Sequence, residues 1–195
     1  MLDEKKSREN YLRVTTCLYP FSGLDKINPE IVAYAGQRGT KVHKICEAIV
    51  DGMGEFGVDE ETWGYVESFK KWWANEVDVV EMEKRFYDDV LQLTGQLDFI
   101  IKTDDGLAIV DIKTSAKESK TWAAQGAAYA YLAKKDGYDI KKIYFLHLNK
   151  HGKQPKIYEY PVNDDFFLAI FLTYKYFFYK EPKNEQFKRR DASKT

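Results

Sequence analysis

Two acids and a lysine stand in adjacent stretches of the chain whose composition otherwise predicts β-strands. The segment TGQLDFIIK contains Asp98, and the segment GLAIVDIKT contains Asp111 and Lys113. Strand interiors disfavour Asp, and Lys is rarely buried without a partner, so these residues need a chemical reason or a solvent-facing position. The turn sequence TDDG between the two segments predicts a hairpin.

The apolar pattern of this hairpin determines which residues face each other. Apolar residues occupy odd positions in the first strand and even positions in the second: Leu97, Phe99 and Ile101, then Ala108, Val110 and Ile112. Aligning the two apolar faces places Asp98 opposite Asp111, and Lys113 shares their face. Two carboxylates at cross-strand distance repel each other unless a cation or a proton joins them.

Mg²⁺ is the natural cation for such a pair, because it takes hard oxygen ligands that include one or two carboxylates. Asp98, Asp111 and the backbone carbonyl of Ile112 supply such a set. Lys113 would then orient or deprotonate an attacking water and stabilise charge on a phosphate. The alternative is that the two acids and Lys113 form a solvated ladder of ion pairs on an open face of the sheet.

Further motifs surround these residues. GQLD is followed thirteen residues later by DIK and then by QGAAY on the next predicted helix, while RGTKVHKICE stands upstream. The ordered set resembles the PD-(D/E)XK nuclease superfamily, in particular its RecB-like branch, which carries G-x-x-D, D-x-K, Q-x-x-x-Y and an upstream histidine. The resemblance spans residues 38–131. It implies an α/β fold in which helices flank a central mixed β-sheet, with a restriction-endonuclease-like αβββαβ core.

The resemblance also implies roles for the matching positions. Asp98, Asp111 and the Ile112 carbonyl would bind a Mg²⁺ or Mn²⁺ ion, and Lys113 would assist the attacking water. His43 matches the histidine of the branch and would be a further metal ligand.

Two more acids are candidates for supporting roles. Glu47 lies one helical turn beyond His43, so it would orient that histidine or simply face solvent. On the strand before GQLD, period two places Glu81 and Glu83 on one face. We favour Glu83 as the acid of the site, but the sequence leaves Glu81 open.

Five residues are candidates for contact with DNA: Arg38, Gln125, Tyr129, Lys117 and Lys120. The resemblance assigns Gln125 and Tyr129 to the positioning of the nucleic-acid backbone or of the acids, whereas otherwise they are incidental polar groups on an alanine-rich helix. Arg38 would meet a phosphate or form a structural ion pair. Lys117 and Lys120 would add positive charge beside the acids, or belong to a solvated surface.

Composition limits the remaining function classes. The net charge of −1 gives no basic footprint of the kind that whole nucleic-acid-binding domains carry. Cys17 and Cys46 are far apart and lack C-x-x-C spacing, which argues against a zinc site or an iron–sulfur cluster. No apolar run approaches the length of a membrane span, so the sequence predicts a cytoplasmic protein that does not contact membranes.

The helix and strand patterns predict one nuclease domain over residues 1–195. It would contain a helical part over about 28–76, a catalytic core over about 77–162 and a C-terminal aromatic helix over about 164–180. In the helical part, a helix from Pro29 pauses at GQRGT before a second helix from about Thr40 to Val50. The segments DVVEMEKRFY, TGQLDFIIK and GLAIVDIKT would be three consecutive strands.

These observations predict a Mg²⁺- or Mn²⁺-dependent deoxyribonuclease. The favoured form is a phage-like exonuclease that acts on single strands or duplex ends in DNA processing, recombination or repair. Two alternatives stay open: a catalytically silent binding or scaffolding module that uses the aromatic final helix, and a restriction-type endonuclease. The sequence does not decide whether the partner is a second copy of the chain or a recombination protein.

Overall fold

The computed structural model describes residues 11–179. The helices are α1 (Val14–Ser22), α2 (Pro29–Val50), α3 (Trp63–Trp73), α4 (Trp122–Lys135) and α5 (Asp164–Phe177), with a 3₁₀ turn at Leu24–Lys26. The strands are β1 (Leu12–Arg13), β2 (Asp78–Met82), β3 (Arg85–Asp88), β4 (Leu93–Gln96), β5 (Phe99–Thr103), β6 (Gly106–Lys113), β7 (Ile140–His147) and β8 (Lys156–Tyr160). No helix in this part of the chain is both long enough and apolar enough to cross a membrane.

The strands form two mixed sheets. The larger sheet has the order β2-β5-β6-β7-β8, with β6 and β7 parallel and the other pairs antiparallel. The smaller sheet has the order β1-β4-β3, with β1 and β4 parallel. Helices α2 and α3 pack on one face of the larger sheet, and α1, α4 and α5 pack on the other. The predicted fold class, an α/β fold with helices around a mixed sheet, is therefore confirmed.

Strand β6 separates the two cores. Its even positions, Ala108, Val110 and Ile112, belong to the core under α2 and α3. Ile109 belongs to the other core, and period two directs Asp111 and Lys113 toward the same side as Ile109, where α4 packs.

The predicted register of the hairpin is confirmed. Phe99 pairs with Val110, and Ile101 pairs with Ala108. The same alignment extended by one residue sets Asp98 opposite Asp111, although Asp98 itself precedes the first residue of β5.

The predicted pause at GQRGT is wrong, because α2 runs unbroken for 22 residues. Its start is as predicted: Asn28 Oδ1 accepts a hydrogen bond from Glu30 N at 2.8 Å, and Pro29 occupies the first turn. A helical glycine costs roughly 1 kcal/mol relative to alanine, which does not break a helix that also packs on a core. A Cβ at Gly39 would lie 3.3 Å from Thr114 Oγ1, so this glycine lets α2 pass close to the end of β6.

The first two of the three predicted strands are also wrong in extent. DVVEMEKRFY divides into β2 and β3, and TGQLDFIIK divides into β4 and β5, with the two halves of each in different sheets. The break between β2 and β3 lies beside the break between β4 and β5. Two hydrogen bonds join them: Glu83 N donates to Asp98 O at 2.8 Å, and Leu97 N donates to Lys84 O at 3.2 Å. We call this point the bend of the hairpin, defined by residues 83–84 and 97–98.

The bend changes the direction of side chains. Glu83 has a φ of 51°, in the left-handed region, and it follows the last residue of β2. The alternation that predicted a common face for Glu81 and Glu83 therefore does not continue through the bend.

Helix α1 was not predicted. It contains Pro20 and has no side-chain hydrogen bond at its N-cap, so the sequence carries none of the usual signals of a helix start. Its buried residues Val14, Cys17 and Leu18 pack in the core shared with α4 and α5. Tertiary packing, a non-local effect, therefore favours this helix.

Asp88 links the smaller sheet to α4. Its Oδ1 accepts hydrogen bonds from Val90 N at 2.8 Å and Leu91 N at 2.9 Å, and its Oδ2 accepts one from Tyr131 Oη at 2.9 Å. Burial alone would raise the pKa of Asp88, but these hydrogen bonds hold it below its ordinary value.

Replacing Asp88 by alanine is expected to destabilise the fold by about 2–3 kcal/mol at pH 7, because three buried hydrogen bonds to a charged group are lost. The folded-state pKa of Asp88 is depressed, so its contribution is present above the unfolded value of about 4 and is lost as the pH falls through the folded value. Urea unfolding should therefore show a difference between wild type and variant that narrows below about pH 4. Asp136→Ala, at the exposed end of α4, is the control and should change stability little at any pH.

Candidate active site

The residues predicted to do chemistry converge at the bend of the hairpin. Asp98 lies at the bend, and Asp111 and Lys113 lie on the neighbouring strand β6. His43 reaches the same place from α2, on one side of the larger sheet. Both aspartates are buried, with exposed fractions of 8% for Asp98 and 3% for Asp111.

Asp98 is held by two contacts. Its Oδ1 lies 2.9 Å from His43 Nδ1, and its Oδ2 accepts a hydrogen bond from Ile112 N at 2.6 Å. Burial alone would raise the pKa of Asp98, but the charges of His43 and Lys113 and the Ile112 amide hold it below its ordinary value. The carboxylate is therefore ionised at neutral pH. Ile112 contributes its backbone N–H to the site, and the role of its carbonyl as a metal ligand stays a prediction.

His43 carries the opposite charge to this carboxylate. Burial alone would lower the pKa of His43, but the Asp98 carboxylate, helped by Asp111, raises it to about 9. The imidazole ring of His43 is thus a cation at neutral pH as long as no metal ion is bound beside it. A histidine that binds a metal must be neutral, so a metal ion would take the place of the imidazole proton.

Asp111 and Lys113 form an ion pair with a short distance of 2.5 Å between Oδ2 and Nζ. The contact lacks hydrogen-bond geometry, so the buried Oδ2 accepts no hydrogen bond from the described residues. Burial raises the pKa of Asp111 to about 6; the charge of Asp98 adds to this rise and Lys113 opposes it. The Lys113 ammonium also lies 5.2 Å from the centre of the Phe145 ring.

The structure shows which of Glu81 and Glu83 lies at the site, a choice that the sequence left open. Glu83 lies beside Asp98 and accepts a hydrogen bond from Gln96 Nε2. Glu81 instead pairs with Lys84 Nζ at 2.8 Å and with the hydroxyl of Tyr138, away from the site.

Glu83 is part of a group of acids that compete for protons. Burial raises the pKa of Glu83 to about 7, and the negative charge of Asp98 and a hydrogen bond with Glu47 add to the rise. Glu47 therefore contacts Glu83, whereas the sequence left open whether Glu47 orients His43 or faces solvent.

The donor atoms fit a divalent cation. One ligand atom each of His43, Glu83 and Asp98 lie within 4.8 Å of one another. The neighbouring Asp111 Oδ2 accepts no hydrogen bond from the described residues but is ion-paired with Lys113 Nζ at 2.5 Å, so a cation that binds it would compete with that ammonium. Carboxylate oxygens with a single imidazole suit Mg²⁺ or Mn²⁺ better than soft metals, which prefer thiolates.

Gln125 and Tyr129 lie on α4, on the side of β6 toward which Asp111 points. Both side chains are buried, and Gln125 Nε2 donates a hydrogen bond to Tyr129 Oη at 2.9 Å. Burial, with the negative charge of Asp111, raises the pKa of Tyr129 far above its ordinary value. The pair is therefore a neutral polar group beside the acids.

Gly95 explains how this tyrosine fits. A Cβ at Gly95 would lie 2.9 Å from Tyr129 Cε1 and 3.0 Å from Leu132 Cδ1, distances too short for packed atoms. The glycine of GQLD thus provides the space that the tyrosine of QGAAY fills.

The remaining candidates lie at the margin of the site. Arg38 Nη2 donates to Thr114 O at 3.1 Å, and its guanidinium lies 5.1 Å from the centre of the Tyr65 ring. The observed contact of Arg38 thus joins α2 to the end of β6. Lys117 and Lys120 are exposed on the connection between β6 and α4.

Sequence reasoning missed two neighbours of Lys113. His147 is its partner on the parallel strand β7, with Nε2 2.6 Å from Ser115 O. Helix α1 contributes Thr15, Thr16 and Tyr19 to a cleft that Lys113 also lines. The local sequence does not predict that His147 or α1 lies near Lys113, because both contacts depend on non-local strand pairing and helix packing.

Comparison with known proteins places the chain in a family. A family model described as the PD-(D/E)XK nuclease superfamily matches residues 59–191. No protein of curated function matches the chain. A solved structure named "Putative exonuclease" from Eubacterium rectale is 13% identical, with a TM-score of 0.54 over 89% of this chain and 82% of that one. The structure of SSO0001 is 16% identical, with a TM-score of 0.46 over 90% of this chain and 80% of that one. Because the family model covers more than half of its length, the chain belongs to the PD-(D/E)XK nuclease superfamily.

Proposed function

We propose that this protein is a Mg²⁺- or Mn²⁺-dependent deoxyribonuclease that hydrolyses phosphodiester bonds, with single strands or duplex ends as its substrates. The observation that carries the proposal is the cluster of His43, Glu83 and Asp98 at the bend of the hairpin, whose ligand atoms lie within 4.8 Å of one another. The ion pair of Asp111 and Lys113 lies on the neighbouring strand. Membership of a nuclease superfamily supports the reaction class. The name of the Eubacterium rectale structure makes cleavage from an end the first mode to test.

The acids and His43 would hold the metal ion. Asp98 is already ionised, and Asp111, which is paired with Lys113, is ionised above about pH 6. A divalent cation supplies Lewis acidity, which generates a nucleophilic water and neutralises charge on the phosphate. Neutralisation of the clustered carboxylates would also remove the repulsion that adds to the effect of burial on the pKa of Glu83 and Asp111.

Lys113 would act on the phosphate and on the water. Its ammonium is fixed by Asp111 and by the Phe145 ring and is 18% exposed, so it points into a confined space next to the acids. A fixed cation stabilises the negative charge that develops on the phosphate oxygens during attack. Gln125 and Tyr129 would keep Asp111 in place through the neutral packing of α4 against β6.

A cleavage assay tests the proposal. Purified protein is incubated with end-labelled single-stranded DNA, blunt duplex DNA, circular DNA and single-stranded RNA, each with Mg²⁺, Mn²⁺ or EDTA. We expect DNA cleavage only with a metal ion, with a ladder of single-nucleotide steps and with circular DNA left intact. A preparation of the Asp111→Asn variant, purified in parallel, measures contaminating nuclease. Cleavage that persists in EDTA, or that is equal in the variant preparation, would contradict the proposal.

A second candidate function is a binding module that has lost cleavage. It is favoured by the exposed apolar residues of α5, namely Leu172, Tyr176 and Phe177, which are 63%, 83% and 70% exposed. The cleavage assay separates the two functions, since a silent module would cleave none of the four substrates with either metal ion.

A further inference from the structure

A cleft of about 640 Å³ opens beside the candidate active site. Its walls come from α1, from the start of α4 and from the end of α5, and its lining includes Lys113 and Gln125. The cleft and the acids therefore share Lys113, so a molecule that fills the cleft reaches the ammonium that faces the reacting phosphate. None of the superfamily motifs in the sequence includes α1.

The chemistry of the lining is distinctive. Hydroxyl groups come from Thr15, Thr16 and Thr121, and aromatic surface comes from Tyr19 and Phe178. Both aromatic side chains leave about half of their area exposed, 49% for Tyr19 and 47% for Phe178. Among the described residues that line the cleft, Lys113 is the one that is charged. Aromatic faces, hydroxyls and a single cation match the base, the sugar and the phosphate of one nucleotide.

The size of the cleft restricts what it can hold. Its volume is that of a typical small-molecule site, which spans about 300–1000 Å³. A DNA duplex is too wide to enter the cleft, since the major groove, which is only one part of its width, already measures about 12 Å across. A base in a duplex is also stacked and paired, so only an unpaired base offers its faces to Tyr19, whereas the Phe178 ring already stacks on Tyr174.

We propose that this cleft binds an unpaired base of the cleaved strand, next to the phosphate at Lys113, and that Tyr19 is a stacking surface for it. The inference rests on the proposed nuclease function and adds its substrate class: a strand whose end is single-stranded. The phosphate lies at Lys113 and the base extends toward α1. The enzyme would therefore act on frayed or single-stranded ends and poorly on blunt, fully paired ends.

The test uses DNA in which 2-aminopurine, a base whose fluorescence falls on stacking, replaces the terminal base at the 5′ or the 3′ end. Binding is measured in the Asp111→Asn background with Mg²⁺, so that the probe is not cut. We expect the fluorescence of one labelled end to fall on binding. Adding Tyr19→Ala should abolish this fall and weaken binding of the single strand by about 5- to 100-fold.

Two matched variants accompany this measurement. Tyr19→Phe keeps the ring and should retain both the fluorescence change and the affinity. Tyr34→Ala removes a 50% exposed tyrosine of α2 that does not line the cleft, and it should leave both unchanged. With Asp111 intact, Tyr19→Ala should raise KM for single-stranded DNA and leave the slow cleavage of blunt duplex unaltered.

The outcomes separate this inference from the nuclease function. If wild type cleaves DNA with Mg²⁺ but Tyr19→Ala alters neither probe fluorescence nor KM, the base site is overturned and the nuclease stands. If no substrate is cleaved but the probe is still quenched through Tyr19, the nuclease function fails and the base site stands. Equal cleavage of blunt and single-stranded ends would overturn the base site.

Discussion

An Asp111→Asn variant is expected to lose at least about a thousandfold of the nuclease activity, while its metal-free fold is at least as stable as that of wild type. The loss corresponds to about 4 kcal/mol of transition-state stabilisation, which is the scale of metal-ion catalysis. Asparagine keeps the shape of the side chain but not the negative charge that a divalent cation needs. The rate of cleavage of end-labelled DNA at saturating Mg²⁺ measures the loss.

The stability of the same variant follows from the pKa of Asp111. The folded-state pKa is about 6, above the unfolded value of about 4, so the folded protein binds the proton more tightly. Ionisation of Asp111 therefore destabilises the metal-free fold as the pH rises from about 4 to about 6. Asparagine removes this penalty, although Lys113 loses its ion partner and offsets part of the gain.

Thermal unfolding in EDTA at pH 5 and pH 8 checks this second expectation. The Tm of Asp111→Asn relative to wild type should be higher at pH 8 than at pH 5. Asp104→Asn, in the exposed turn between β5 and β6, is the control and should change neither activity nor Tm. A variant that unfolds in EDTA at pH 8 would show that Asp111 is a structural residue, and its lost activity would then carry no information on catalysis.

A Gly64→Ala substitution is expected to destabilise the fold by about 3–4 kcal/mol, because there is no room for a methyl group. A Cβ at Gly64 would lie 1.9 Å from Lys150 O and 2.4 Å from Lys150 C, and backbone atoms cannot rotate away as a flexible side chain can. Helix α3 would have to move off the turn after β7. It would then lose two hydrogen bonds, Asn149 N to Ser68 Oγ at 2.9 Å and Lys71 Nζ to Gly152 O at 2.6 Å.

Gly36→Ala is the matched control for this prediction. Gly36 is also helical, but no atom lies within 4 Å of its added Cβ. Alanine should stabilise α2 by about 0.5–1 kcal/mol through helix propensity. Urea unfolding of the two variants should shift the midpoint in opposite directions. Equal stability of Gly64→Ala and wild type would mean that α3 does not lie against the turn at Lys150.

The elements that were predicted well have strong local patterns. Strand β6 follows its alternation of apolar residues, and the predicted helix that contains QGAAY is α4. Helix α5 begins where Asn163 Oδ1 caps Phe166 N at 3.0 Å. In contrast, the division of the hairpin between two sheets depends on which distant strands its halves meet, and the sequence of the hairpin does not contain that information.

In the candidate site, too, the residues in local motifs were predicted and the features that depend on distant contacts were not. The convergence of His43, Asp98, Asp111 and Lys113 was predicted from motif order, and the structure brings these four side chains together. The position of Glu83 depends on a left-handed φ of 51°, which is uncommon for any residue other than glycine. The residue type at position 83 therefore did not predict this conformation. The cleft beside Lys113 was not predicted, because the sequence carries no signal for the start of α1.

The packing of Tyr129 against Gly95 means that the two motifs containing these residues depend on each other. Because the ring of Tyr129 occupies the space that a Cβ of residue 95 would need, G-x-x-D and Q-x-x-x-Y are two halves of one steric constraint. They therefore weigh less than two independent motifs as evidence of ancestry, and relatives with a side chain at the glycine should carry a smaller residue at the tyrosine. A chimaera that takes one motif from another member of the superfamily should inherit its partner from the same parent.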